Sequence, residues 1–294
     1  MSALGKGLTG VGLSAMQWLG KLPLPWLRRL GTVLGLLLYG LAHTRRHVVL
    51  RNLALCFPQW PESKRRQVAR RSVICLAQSW LDRGWLWHAP EAVVRKRLRL
   101  HGALSEFDGL APTIVFSPHF YGLDAGATAI NMNVAREFTS IYTPQANARV
   151  DGWIKAGRLR WGRVRLYQRT DGVKDNIAGL RSGQVLYLLP DMDFGPNGSV
   201  FVPFFGVPTA TVPSIARFAR LGRAKVISVV SRITPSGYDV EVLPAWEDYP
   251  TGDLQADTAR GNELLESLVL TMPEQYYWVH RRFKSRPPGH GPVY

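Results

Sequence analysis

His119 follows a short apolar run, Thr113 to Phe116, and a Ser-Pro pair; Asp124 comes five places later. Imidazole is the side chain whose ordinary pKa lies nearest neutrality, so it can take a proton at physiological pH. A carboxylate partner would fix its tautomer and stabilise the cation. On one regular helix a five-residue spacing puts the two side chains out of register. Across a strand–turn–helix junction they can meet, with His119 in the turn and Asp124 in the first helical turn. The plain alternative is a satisfied surface histidine and an aspartate placed where a helix N-terminus favours negative charge, and H-x4-D occurs often by chance. No G-x-S-x-G elbow accompanies the pair, and neither Cys56 nor Cys75 falls near it. A His–Asp pair without its own nucleophile points to a hydroxyl supplied by the substrate, hence acyl transfer onto an alcohol.

The elements that must hold these residues are those of an α/β fold: a largely parallel central sheet flanked by helices. From residue 97, short β-rich runs (113–116, "FTSIY", "VRLYQ", "QVLYLLP") alternate with helical patterns at 121–133, 147–160, 173–182 and 211–221. "AKVISVVSRI" and "YDVEVLPAW" form a strand pair around the turn "TPSG", and a helix at 253–271 follows. Open α/β sheets bind ligands beyond the carboxyl ends of their strands, and His119 falls at such an end. Residues 44–100 read as mostly helical. Within 61–87, Val68, Val73, Ile74, Leu76 and Trp80 form an apolar stripe with arginines opposite, and Gly84 weakens the far end.

The formal charge is +16 over 294 residues. Residues 1–100 hold 17 Lys/Arg against three acids, so that stretch carries +14 and the remainder +2. Such a block suits an anionic partner: lipid head groups, an acidic protein or nucleic acid. Helix-turn-helix, RNA-binding and zinc-finger signatures are absent, which argues against nucleic acid. Lipid fits better. An apolar stretch, Leu30 to Ala42, is bracketed by Arg28, Arg29, Arg45 and Arg46, with Trp18, Trp26 and Tyr39 nearby. It is shorter than the ~20 residues of a spanning helix. The expectation is an N-terminal membrane anchor over 1–45, shallow or re-entrant with a full span open, ahead of a catalytic domain at 46–294; the alternative is a buried core helix. The two cysteines make neither a disulfide framework nor a zinc site, and no cofactor or metal is expected.

Three further stretches invite chemistry. "DMDFGPNGSVFVPFFG" holds one D-x-D without further ligands, which reads as a structured loop with Gly195, Pro196 and Gly198 setting its turns. Arg158, Arg160, Arg163, Arg165 and Arg169 are either solvated charge beside a strand or a site for phosphates or an acidic carrier. Backbone N–H groups of Phe120–Gly122 are candidate donors to an oxyanion.

The H-x4-D after a strand is similar to the motif of glycerolipid acyltransferases. Over nearly the whole chain the sequence resembles the bacterial lipid A late acyltransferases, the lauroyl/myristoyl transferases. The residues that carry this are "FSPHFYGLDAGA", "SIYTPQAN", "GLRSGQVLYLLPDMDFGPNGSVFVPFFGVPTATV" and "MPEQYYWVHRRFKSRPPG". The resemblance implies an enzyme at the cytoplasmic face of the bacterial inner membrane. It would take a fatty acyl group from acyl carrier protein and place it on a hydroxyl of a Kdo-bearing lipid A precursor. It further implies His119 as base oriented by Asp124, Tyr142 in the second block, and the loop of Asp193, Phe194 and Gly195 beside the site, with Phe194 and Phe201 to Phe205 along an acyl groove or simply packed. Two positions depart from the family pattern: Asp124 stands where Glu is usual, and Tyr142-Thr143-Pro144 replaces Tyr-Arg-Pro. Arg149 and Arg158 are the candidates to supply the missing cation. Another lipid acceptor, such as a glycerophospholipid, and a non-catalytic homologue are the alternatives.

Overall fold

The computed structural model describes residues 3–168 and 171–294, so Arg169 of the basic cluster lies outside the described residues. Five helices come first: α1 (Ala3–Leu19), α2 (Leu24–Leu41), α3 (His43–Cys56), α4 (Glu62–His88) and α5 (Glu91–Arg97). Then come β1 (Leu98–Gly102), β2 (Thr113–Phe116), α6 (Leu123–Asn133), β3 (Glu137–Tyr142), α7 (Ala148–Arg158) and β4 (Arg163–Gln168). They are followed by α8 (Lys174–Arg181), β5 (Val185–Leu188), β6 (Val200–Phe204), β7 (Val207–Thr211), α9 (Ser214–Gly222), β8 (Lys225–Thr234), β9 (Gly237–Val242) and α10 (Leu254–Thr271).

The strands form a seven-stranded sheet of order β1-β9-β8-β2-β5-β3-β4, parallel except for the β8–β9 pair. β2 and β5 lie near its centre, and every residue of both is buried. That is why they read as unbroken apolar runs rather than alternating ones. One core packs α3, α8, α9 and α10 on one face of the sheet; a second packs α4, α6 and α7 on the other. Two elements escape the sequence reading. The edge strand β1 pairs with β9, and the stretch after Ser199 is an antiparallel hairpin, β6–β7, held apart from the main sheet.

Two of the readings left open for the N-terminal helices fall away. Among the described residues no helix is long and apolar enough to cross a membrane. Nor is α2 a core helix. One side packs on α4 through Gly31 and Gly35, where an added Cβ would meet Gln78 and Ile74 at 2.6 and 2.5 Å. The other side leaves Trp26, Val33, Leu37 and Leu41 between 54% and 75% exposed. Arg28 is not a flanking surface cation: it points inward to an ion pair with Asp82, whose carboxylate also accepts from Tyr238 Oη and Trp85 Nε1. Gly84 does not end α4, which runs on to His88. It is where α1 crosses, since a Cβ there would strike the Met16 carbonyl.

Candidate active site

β2 and β5 are neighbours in register, Phe116 opposite Leu188. Each leaves the sheet through the same local grammar, one residue and then a proline: Ser117-Pro118-His119 and Leu189-Pro190-Asp191. Equal offsets from a paired position bring His119 and Asp191 together. His119 Nδ1 lies 2.7 Å from Asp191 Oδ1, and the His119 backbone N–H donates to Oδ2 at 2.9 Å. An ionised carboxylate can only accept, so Nδ1 carries the proton and Nε2 presents its lone pair. Burial alone would raise the Asp191 pKa; the neighbouring His119 and its hydrogen bonds reverse this and hold it below the ordinary value.

Asp124 occupies the first turn of α6, as the motif predicts, but the orienting contact expected of it is made by Asp191. Asp124 is instead clamped between two guanidiniums. Arg83 of α4 binds Oδ2 at 2.7 Å and Arg158 of α7 binds Oδ1 at 2.9 Å. Burial opposes ionisation there too, yet the charges of Arg158 and Arg83 outweigh it and hold the carboxyl well below the usual carboxylate range. The reason lies in the chain path. The turn after β2 sends His119 toward the β5 exit, while α6 starts beneath α4 and α7. Arg83, from the side of α4 that the periodicity assigns to solvent, lies over the Trp80 ring at 4.1 Å.

His119, Asp124, Arg83, Arg158, Tyr142, Thr143 and Phe194 line one cavity of about 460 Å³. The ring of Tyr142 is buried under Lys155 and Arg158, and its hydroxyl has no partner among the described residues. Arg149 does not line this cavity; its guanidinium lies 3.1 Å from where a Cβ on Gly10 would stand. Of the remaining arginines, Arg160 reaches the Ala89 carbonyl at 2.6 Å and Arg165 pairs with Glu137, so the basic stretch does not converge on one point.

The expected oxyanion donors are partly spent. The Phe120 and Tyr121 amides donate to the carbonyls of Pro118 and Gln275. A C-terminal segment holds the histidine turn from behind. The Tyr277 N–H donates to the His119 carbonyl at 3.0 Å, and Phe120 bridges to Tyr276. Asn52 of α3 pins that segment through the Trp278 and His280 carbonyls.

Asp193 ties the loop to the same segment. Its side chain accepts from the Gly195 N–H, the Ser285 N–H and the Ser285 hydroxyl. Gly195 makes the turn at φ +104°. The Asp193 N–H donates to His280 Nε2, and burial followed by the Arg282 charge lowers the His280 pKa to about 4. Only Phe194 of the expected groove aromatics lines the cavity; Phe204 is buried in the core against Tyr276 and Trp278. The signal that would have located Asp191 was the repeated strand-x-Pro exit. Arg83 gave none, because nothing local to α4 marks which arginine turns inward.

Comparison with known proteins gives the family. The family model for bacterial lipid A biosynthesis acyltransferases matches residues 1–285. The chain is similar to the lipid A biosynthesis lauroyltransferase of Escherichia coli strain K12, 32% identical over 292 residues, covering 96% of this chain and 93% of that protein. It is 31% identical to the palmitoleoyltransferase of the same organism (98% and 94% covered) and 30% identical to its myristoyltransferase (95% and 87% covered).

Proposed function

This chain belongs to the bacterial lipid A biosynthesis acyltransferases, and from that premise we propose that it moves a fatty acyl group from acyl carrier protein to a hydroxyl of a Kdo-bearing lipid A precursor. The observation that carries the mechanism is His119, tautomer-locked by Asp191 and opening on the cavity. Nε2 takes the proton of the acceptor hydroxyl as its oxygen attacks the thioester carbonyl. Asp191 stabilises the imidazolium that forms. The tetrahedral intermediate collapses by breaking the C–S bond, and the imidazolium proton leaves with the thiol. Asp124 takes no proton. It fixes Arg83 and Arg158 at the cavity wall, and this charge-rich rim, rather than the Phe120 and Tyr121 amides, faces the developing oxyanion or a substrate phosphate.

The exposed apolar side of α2, with Trp18 and Trp26, seats the enzyme on the cytoplasmic leaflet of the inner membrane without crossing it. Replacing Trp26 and Leu37 together by serine lowers co-flotation with anionic vesicles; unchanged flotation would sink that seating. The decisive assay incubates purified protein with acyl carrier proteins of several chain lengths and a tetra-acylated Kdo-lipid acceptor, followed by mass spectrometry. A gain of one acyl group on the lipid is expected. Acylation of glycerophospholipid instead would overturn the acceptor.

A further inference from the structure

The C-terminal segment behind the histidine turn carries a buried cation of its own. Arg282 is 1% exposed and lies behind the cavity rather than on its wall. A guanidinium keeps its charge in proteins, and a charge taken out of water needs a balancing one. Yet among the described residues no carboxylate pairs with it directly. Its donors meet neutral oxygens: Nη1 reaches the Ala210 carbonyl at 2.8 Å, and Nη2 reaches the Thr211 hydroxyl at 2.9 Å and Asn262 Oδ1 at 3.5 Å. The guanidinium lies over the Phe204 ring, 5.6 Å from its centroid. Its Nε has no partner among the described residues. These holders belong to the β6–β7 hairpin and α10, and Asn262 Nδ2 ties the two by donating to the Pro203 carbonyl at 2.7 Å. The hairpin that stands apart from the main sheet is thus part of the cradle of a buried cation.

The balancing charge is Asp191. Asp191, Thr211 and Asn262 line a single void of about 20 Å³, so the carboxylate that orients His119 backs onto the clamp that holds Arg282. Burial would raise the Asp191 pKa; His119 and its two hydrogen bonds lower it, and the Arg282 charge lowers it further. The other titratable groups there are neutral near pH 7. Burial pushes the Tyr276 hydroxyl and the Cys56 thiol well up, and pushes His280 down to about 4. Asp257 of α10 lines the void as well, where it accepts from the Thr251 N–H and hydroxyl, and it brings a second acid rather than a cation. Among the described residues that lower the Asp191 pKa, Arg282 is therefore the one with a permanent charge.

We propose that Arg282 is a positioning residue of the reaction: its fixed charge keeps Asp191 a carboxylate throughout the cycle, so that the proton taken from the acceptor hydroxyl stays on the imidazole until the thiolate leaves. The inference rests on the acyltransferase reading. The imidazolium formed at His119 holds a proton on each nitrogen. The Nδ1 proton could cross to Asp191 only by neutralising the carboxylate, which would leave Arg282 buried with nothing to balance it. Nδ1 therefore stays protonated. The Nε2 proton, which came from the hydroxyl, passes to the sulfur as the C–S bond breaks.

The test separates charge from bracing. Arg282→Lys keeps the cation and loses the fork; Arg282→Met fills a similar space and removes the charge. With acyl carrier protein as donor and the Kdo-lipid as acceptor, Arg282→Met lowers kcat about ten- to a hundredfold, the worth of outer partners of imidazoles at metal sites. The acceptor KM stays unchanged, and Arg282→Lys recovers most of the loss. Equal losses in the two variants overturn the proposal. A second readout needs no turnover. Thermal melts of Arg282→Met, Asp191→Asn and the double variant form a cycle. Asp191→Asn should cost less in the Arg282→Met background than in wild type, and should restore folding if Arg282→Met alone does not fold. Strictly additive losses, or a double variant that also fails to fold, overturn the proposal, because Arg282 then only braces the hairpin. In protein with labelled histidine, the His119 Nδ1–H resonance should move in Arg282→Met and hold in Arg282→Lys; an unmoved resonance in Arg282→Met likewise overturns it. Coupled melts with a wild type that transfers to no lipid keep the Arg282–Asp191 pairing and overturn the acyltransferase reading on which its role rests.

Discussion

Two carboxylates lie near one cavity, at the start of α6 and just beyond β5, and both are held ionised against the cost of burial by the nitrogen-bearing side chains folded onto them. What separates them is the partner. Asp191 meets an imidazole, a group able to gain and lose a proton, so on the proposed mechanism its charge bears on the reaction. Asp124 meets two guanidiniums that stay charged, so its charge bears on architecture. The general lesson is that an acidic motif residue takes its role from the cations folded onto it, and these come from elements distant in sequence.

The sharpest way to break this comparison is to remove the base and its orienter in turn. His119→Ala is expected to lower kcat by on the order of 10^2- to 10^4-fold, the typical worth of a positioned base. Asp191→Asn should follow closely, because the two act as one unit. Single-turnover transfer by purified variants checks both. If Asp191→Asn transfers at the wild-type rate, the assignment of the orienting residue fails.

Asp124→Asn comes next. It leaves Arg83 and Arg158 unpaired. The expected loss is about 2–3 kcal/mol of stability, below the ~3–5 of a sealed pair because the Arg158 side chain is 31% exposed. Thermal melts give the size. Adding Arg83→Met to the same chain should recover part of the loss, which a purely catalytic aspartate would not do. The comparison also sharpens with pH. The folded-state pKa of Asp124 is depressed, so its contribution is full above the ordinary aspartate range near ~4 and is lost as pH falls below it. Melting temperatures of wild type and Asp124→Asn should therefore converge in acid.

The smallest effect concerns His280, whose pKa falls to about 4 in the fold. Its neutral form accepts the Asp193 N–H. Stability from this site is complete above ~6.5, the unfolded value, and declines as pH drops toward the folded value. His280→Asn should flatten the stability profile across that window in urea titrations; an unchanged slope removes His280 from the account.

The sequence made much of this legible. The alternation of β-rich and helical runs predicts β2 to β5, β8 and β9, and H-x4-D lands where the motif predicts, His119 in the turn and Asp124 on the first turn of α6. The partnership was not legible. Which carboxylate reaches an imidazole depends on sheet order, and sheet order is a pairing of distant strands that no local pattern encodes. The repeated Pro exits of β2 and β5 hint at it only after those strands are known to be neighbours. β1 was hidden by its basic composition, and the hairpin by two prolines, Pro203 and Pro208, which disfavour a central strand but are admissible in an isolated two-stranded sheet. The N-terminal helix misled in one particular: Arg28 turns inward to Asp82 but reads in sequence like a head-group anchor.

The backing of the histidine turn by residues 275–282 has a temporal consequence. During synthesis the sheet, the base and its aspartate all emerge well before the peptide that buttresses them. A ribosome-bound chain then carries every reacting side chain yet lacks the brace that aims the imidazole. On the proposed mechanism, transfer begins only once that late segment docks.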